Sequence, residues 1–317
     1  MSFYKSKICI IGGHKTTEIL INNIKKIYTN KLDIYYYKPK RIKNLVLYTD
    51  LKKSLKTNDN FLQFTKLSEI ENKIIHKRYD YLFAIGLSQI IPNKIIKSIK
   101  QKIVGFHPSF LPNGKGRSSS AWNIRLGKNG GCTFFIINNE NVDSGKIFYK
   151  KKITIKKSDN AETYTKKYLS LFDSMTKNIL KKPEYYFNKK TINPKSQANS
   201  YYHKLKPSDS FIDWSDKTSR INRIIKSSTH PHHGSFGFIG DRLFEISDTV
   251  ERKKSKHVNH HAEPGTILEK MNFKYLVKTG DGVILVKINK KLKIGERFTI
   301  INPYLIFKIL SKLKINT

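Results

Sequence analysis

The residues best suited to proton chemistry lie between Gly105 and Gly145. The segment reads Gly-Phe-His-Pro-Ser-Phe-Leu-Pro from Gly105 to Pro112, then Gly114-Lys115-Gly116-Arg117, and later Asn141-Val142-Asp143-Ser144-Gly145. His107 ends a β-prone run and is followed by Pro108, which lacks a ladder donor, so the strand stops and leaves the imidazole at its carboxyl end. Open α/β sheets bind ligands at that end. An imidazole with an ordinary pKa of about 6.5 gives or takes a proton near neutrality, and a carboxylate such as Asp143 can orient it. Taken singly, a His before Pro is a strand-end residue and an Asp before Ser-Gly is a turn residue. Their appearance in one pattern is what points to a site.

The elements that must position these residues follow from periodicity. Ile8 to Ile11 is a short apolar strand closed by Gly12-Gly13, and Thr16 to Tyr28 then carries apolar residues at helical spacing. Further strands are expected at Asp33 to Tyr37, Tyr81 to Ile85, Ile103 to Phe106 and Cys132 to Ile137, with a helix opening near Pro92. Strands alternating with helices predict an α/β fold, a Rossmann-like, mostly parallel sheet with helices on both faces. The Gly12-Gly13 turn has neither GxGxxG nor GxxxxGK[ST] spacing and reads as a tight turn rather than a phosphate cradle. An amphipathic helix from Thr163 to Leu180 closes this domain.

From Lys181 to Ser208 the composition turns to Lys, Asn, Pro, Ser and Tyr without a period, as in a linker. Beyond it come a helix at Ser219 to Lys226 and short runs at Phe236 to Ile239, Leu243 to Ile246, Thr266 to Leu268, Tyr275 to Lys278 and Val283 to Ile288. Short strands of this kind predict a small C-terminal OB-like β-barrel. The expected organisation is a domain over 1–185, a linker over 186–207 and the barrel over 208–317.

Composition narrows the classes. With 38% hydrophobic residues there is enough apolar material for packed cores, which excludes a disordered chain. The 61 Lys+Arg against 24 Asp+Glu give a net charge of +37, which attracts polyanions, but Lys is spread along the chain with Asn and Ile rather than gathered in one stripe. Cys9 and Cys132 are the two cysteines, both in apolar surroundings, and read as reduced core residues. His230, His232, His233, His257, His260 and His261 lack the Cys or carboxylate spacing of a metal site, so no metal is expected. The run Ile8 to Ile11 is too short for a signal peptide and no segment suits a membrane span, which predicts a cytoplasmic protein.

The motifs His107-Pro108-Ser109-Phe110-Leu111-Pro112, Gly114 to Arg117 and Asp143-Ser144-Gly145 together resemble the 10-formyltetrahydrofolate-dependent formyltransferases. Asp80 to Gly86 with Ile90-Ile91-Pro92 is similar to the strand and loop that hold the folate pterin in that family. Asp213-Trp214-Ser215, His230-Pro231 with Gly234-Ser235-Phe236, and Glu263 to Ile267 with Gly280-Asp281-Gly282 resemble its C-terminal barrel. The resemblance spans Asp80 to Ile288. It implies 10-formyltetrahydrofolate as co-substrate, His107 as oxyanion stabiliser and proton carrier, and Asp143 as the group positioning the imidazole and a water. It implies folate contacts from Gly86, Leu87, Ser88, Ile90, Ile91, Pro92, Asn141, Val142 and Asp143. One departure is Gly105, where that family carries an Asn that donates to the formyl oxygen. A backbone N–H, Asn123 or a water would then supply the donor, or the chain would bind without turning over.

Residues between the two motifs, Ser109, Arg117, Ser118 and Trp122, are expected to shape the acceptor pocket. After the second strand, Lys38-Pro39-Lys40-Arg41 is short beside the long basic insertion of the family's tRNA enzymes. The favoured acceptor is therefore a nucleotide-linked amino sugar. Methionyl-tRNA is the alternative, supported by the charge of +37 and the small barrel. A homodimer through the barrel is a further possibility.

Overall fold

A computed structural model of the chain describes residues 2–40, 46–54, 59–194, 200–251 and 261–299. Arg41, His257 and His260 lie outside the described residues. The chain divides into two compact units, one of residues 1–119, 129–154 and 165–202, the other of 120–128, 155–164 and 203–317.

The first unit is built on seven strands: β1 (Ile8–Gly12), β2 (Asp33–Tyr37), β3 (Asn60–Phe64), β4 (Tyr81–Ala84), β5 (Lys102–His107), β7 (Gly130–Ile136) and β8 (Lys146–Ile153). Their order is β3-β2-β1-β4-β5-β7-β8. The first five are mutually parallel, β7 runs antiparallel to β5, and β8 antiparallel to β7. The central strands are buried apolar runs, as a sheet covered on both faces requires. Its helices are α1 (Lys15–Ile24), α2 (Glu71–Lys77), α3 (Asn93–Ser98), most of α5 (Ala161–Lys181) and α6 (Pro183–Asn188). One face packs Cys9, Ile11, Leu82 and Ile103 against Ile74 and Ile95 of α2 and α3. The other carries a ring cluster in which Phe172 of α5 meets Phe106 at 4.5 Å and Phe134 at 5.4 Å between centroids. Such ring pairs add about 0.5–1.5 kcal/mol each beyond area burial.

The segment expected to be a linker holds ordered structure: α6 reaches Asn188, and β9 (Tyr201–Tyr202) pairs in parallel with β6 (Lys115–Gly116). In the second unit, α4 (Ser119–Arg125) contributes residues 120–125, and α7 (Thr218–Ser228) accompanies β10 (Ser235–Ile239), β11 (Arg242–Glu251), β12 (Ile267–Met271), β13 (Lys274–Lys278) and β14 (Val283–Ile288). These form an antiparallel sheet in the order β10-β11-β14-β13-β12. Residues 296–299 hydrogen-bond to both of its edges, Phe298 N–H to Gly265 O at 2.9 Å and Thr299 N–H to Phe238 O at 2.8 Å. That double pairing closes the sheet into a small barrel around Trp214, Ile225, Phe244, Ile284 and Phe298. Among the described residues no helix is long and apolar enough to cross a membrane.

Candidate active site

His107 is the last residue of β5 and is buried, with 7% of its surface exposed. Its Nδ1 lies 3.3 Å from Asp143 Oδ2. Its Nε2 lies 2.7 Å from the carbonyl oxygen of Gly114. Both ring nitrogens therefore face acceptors. A neutral imidazole donates to one of them and turns a lone pair to the other, whereas the protonated ring donates to both. The ring thus stands between a carboxylate on one side and a backbone carbonyl on the other.

Three backbone features hold the pair. Asp143 adopts φ 49°, a left-handed conformation that Asp tolerates better than most residues. Gly116 N–H donates to the same Oδ2 at 2.9 Å. Gly116 itself has φ 91°, and a Cβ there would stand 2.4 Å from the Tyr202 carbonyl oxygen, so only glycine lets the loop approach β9 this closely. The 109–114 turn is fixed by Thr133, whose Oγ1 accepts from Leu111 N–H at 3.1 Å and donates to Ser109 O at 2.7 Å. Ser109 Oγ donates to Asn113 O at 2.7 Å and is thus engaged within the turn.

The loops expected to hold the cofactor are joined to each other. Glu140, in the same loop as Asn141, Val142 and Asp143, accepts from Asn93 N–H at 2.7 Å where α3 begins, just after Ile90, Ile91 and Pro92. Ile90 and Val142 expose their side chains, while Ile91 is buried in the core. Leu87 packs against that core, and Ser88 stands between the two ends of the loop. Gly86, at φ 68°, accepts from Gly13 N–H at 3.2 Å, which ties the ends of β4 and β1. Next to Gly13 stands His14, unremarked in the sequence, which joins Thr17 in a capping box at the start of α1. Its Nε2 is buried and has no hydrogen-bond partner. Burial, with Arg117 adding a like charge, lowers its pKa from 6.5 to about 4.

Arg117 is exposed and its side chain makes no described ion pair, and Ser118 sits at φ 53°. Trp122 and Asn123 belong to the second unit. There the Trp122 indole N–H donates to His203 O at 2.9 Å, and Arg125 lies 5.3 Å over its ring. Asn123 is buried and its carbonyl accepts from Lys128 N–H at 2.8 Å. The departure at Gly105 has a steric counterpart: a Cβ there would meet the Phe135 ring at 2.7 Å. Phe135, directly opposite on β7, fills the space a side chain at 105 would need. Sequence reasoning picked out the Gly114–Arg117 turn but not what its backbone groups do, and it missed His14 and Glu140, the latter in a polar loop. Among the described residues no group of three or more His, Cys, Asp and Glu side chains could hold a metal ion.

Comparison with known proteins accords with this geometry. Residues 19–176 match the formyl transferase family and 204–296 match its C-terminal domain, and the chain belongs to the formyl transferase family. Its reaction class is one-carbon group transfer. A methionyl-tRNA formyltransferase of Mycoplasma capricolum is 28% identical over 288 residues, covering 88% of this chain and 86% of that protein. The solved sugar 3N-formyl transferase WlaRD shares the fold with a TM-score of 0.65 at 19% identity, covering 90% of this chain and 99% of that one. An N-formyltransferase from Helicobacter canadensis superposes with a TM-score of 0.67 at 17% identity, covering 89% and 99%.

Proposed function

We propose that the protein transfers the formyl group of 10-formyltetrahydrofolate to the primary amine of methionyl-tRNA, with His107 and Asp143 as its central residues. The observation that carries the chemistry is the imidazole held 3.3 Å from a carboxylate that is itself fixed by Gly116 N–H. The amine nitrogen attacks the formyl carbon, the carbonyl oxygen becomes an oxyanion, and the folate nitrogen leaves with a proton. Asp143 keeps a proton on Nδ1, so Nε2 is the nitrogen that meets the reacting groups, in the place where the Gly114 carbonyl now stands. His107 stabilises the oxyanion and carries the proton from amine to folate nitrogen. The loops 86–92 and 138–143 flank it and are the folate contacts in this reading.

This acceptor is supported by sequence relatives such as the methionyl-tRNA formyltransferases of Mycoplasma capricolum and Mycoplasma mycoides, which align over 88% of the chain, and by the charge of +37. This reverses the order of preference taken from the short Lys38–Arg41 turn. A nucleotide-linked amino sugar is the second reading, favoured by solved neighbours such as the Helicobacter canadensis enzyme in complex with folinic acid and dTDP-3-aminofucose. Incubating the protein with 10-formyltetrahydrofolate and either methionyl-tRNA or a dTDP-linked amino sugar, and reading product mass, decides between them. Formylation of the sugar alone would overturn the tRNA assignment.

A further inference from the structure

The end of α5, α6 and the outer strand β8 form a surface that the transfer reaction does not use. A cleft of about 430 Å³ is lined there by Asn178, Lys181, Lys182, Tyr185 and Tyr186. No carboxylate is among these residues. The nearby acids are engaged: Glu184 accepts from Phe3 N–H, and Asp173 binds Lys177 at 2.5 Å. Lys181, Lys182 and Lys189 are exposed and form no described ion pair.

Aromatic rings interleave with these cations. The Tyr185 and Tyr186 centroids are 5.2 Å apart and Tyr149 of β8 is 4.8 Å from Tyr186. Lys189 lies 5.8 Å over Tyr185, and Lys151 lies 5.9 Å over Tyr149. Tyr185 leaves 58% of its surface open. Unpaired lysines beside an open tyrosine face meet the two needs of a polynucleotide, charge for phosphates and a ring on which a base stacks. The cations extend from α5 across to β8, which suits successive phosphates along a chain.

We propose that this face is an RNA-binding surface, gripping the backbone through Lys181, Lys182 and Lys189 while a base stacks on Tyr185. Which RNA it grips rests on the methionyl-tRNA reading; that it grips RNA rests on the cleft alone.

The test is fluorescence anisotropy of the full chain with a short labelled single-stranded RNA across a KCl series. For the wild type, log K falls linearly with log salt by about 0.7 per phosphate contacted. K181Q/K182Q is expected to make that slope shallower by about 1.4. Y185A is expected to weaken binding by about five- to a hundredfold with the slope unchanged. Variants binding with the wild-type affinity and slope, or a wild type with no RNA affinity at low salt, would overturn the proposal. So would displacement of the RNA by mononucleotide at equal phosphate concentration. K189Q serves as a second, milder charge variant, with thermal melts confirming that each protein is folded. Wild type that formylates methionyl-tRNA while the variants bind RNA unchanged sinks the surface and leaves the acceptor reading standing. Loss of RNA binding in the variants, with no tRNA formylated by the wild type, leaves the surface standing and sinks the acceptor reading.

Discussion

Two histidines stand at the carboxyl ends of parallel strands in one sheet, and they are built in opposite ways. His107, at the end of β5, is clamped between a carboxylate and a carbonyl, so both of its ring nitrogens face acceptors. His14, just beyond β1, is the N-cap of α1, its backbone N–H donating to Thr17 Oγ1 at 3.2 Å, while its ring Nε2 is buried without a partner and burial keeps the ring neutral. The same side chain near the same end of a sheet thus meets two acceptors in one place and caps a helix in the other. What separates them is the supply of acceptors that the neighbouring loops bring.

The sharpest way to break this contrast is to remove the clamped ring. H107A is expected to lower kcat by about 10²–10⁴-fold, measured as tetrahydrofolate release, with the fold retained by circular dichroism. Loss of folding together with activity would mean that His107 is structural, like His14. D143N keeps the shape of the side chain but withdraws its charge, and a loss of about 10²-fold in kcat is expected. Activity equal to wild type in D143N would show that the ring works without its carboxylate.

A third test concerns the floor of the site. G105N drives a side chain into the Phe135 ring and should cost about 1–3 kcal/mol in urea unfolding. Combining it with F135L should cost less than the sum of the two single changes, since both act on one shared space. Additive costs would show that the two positions are independent.

The smallest effect concerns His14. Its folded pKa of about 4 lies below the ordinary 6.5, so the unfolded chain takes up the proton first. Stability from the neutral ring is therefore full above about pH 6.5 and is lost as pH falls from there through about 4, by about 3 kcal/mol. H14N preserves a good cap and has nothing to titrate, so its stability should decline less over that window. Parallel acid limbs for the two proteins would remove His14 from the account.

Much of this was legible in the sequence, for definite reasons. The central strands are continuous β-branched and aromatic runs because both of their faces are buried, and α5 shows a full helical stripe. His107 and Asp143 stood out because Pro and Gly punctuate their surroundings. β8 was not legible: Lys146 to Ile153 is lysine-rich because, as the sheet's outer strand, it keeps much of its length in water. β9 is two tyrosines in a polar stretch, visible only once Gly116 comes alongside. The role of Gly116 is carried by a backbone N–H, which every residue but proline possesses, so no residue type announces it. The filling of the Gly105 position by Phe135 is a cross-strand matter that one strand's sequence does not encode.

The pairing of Lys115–Gly116 with Tyr201–Tyr202 sets an order of events during synthesis. His107 and Asp143 emerge from the ribosome well before Ser200, whose hydroxyl accepts from Gly114 N–H at 2.7 Å and whose carbonyl accepts from Lys115 N–H. A nascent chain halted ahead of that serine would possess the sheet, the imidazole and the carboxylate, yet lack the splint that holds their connecting loop. The loop would then gain that support only late in translation, when those few residues arrive.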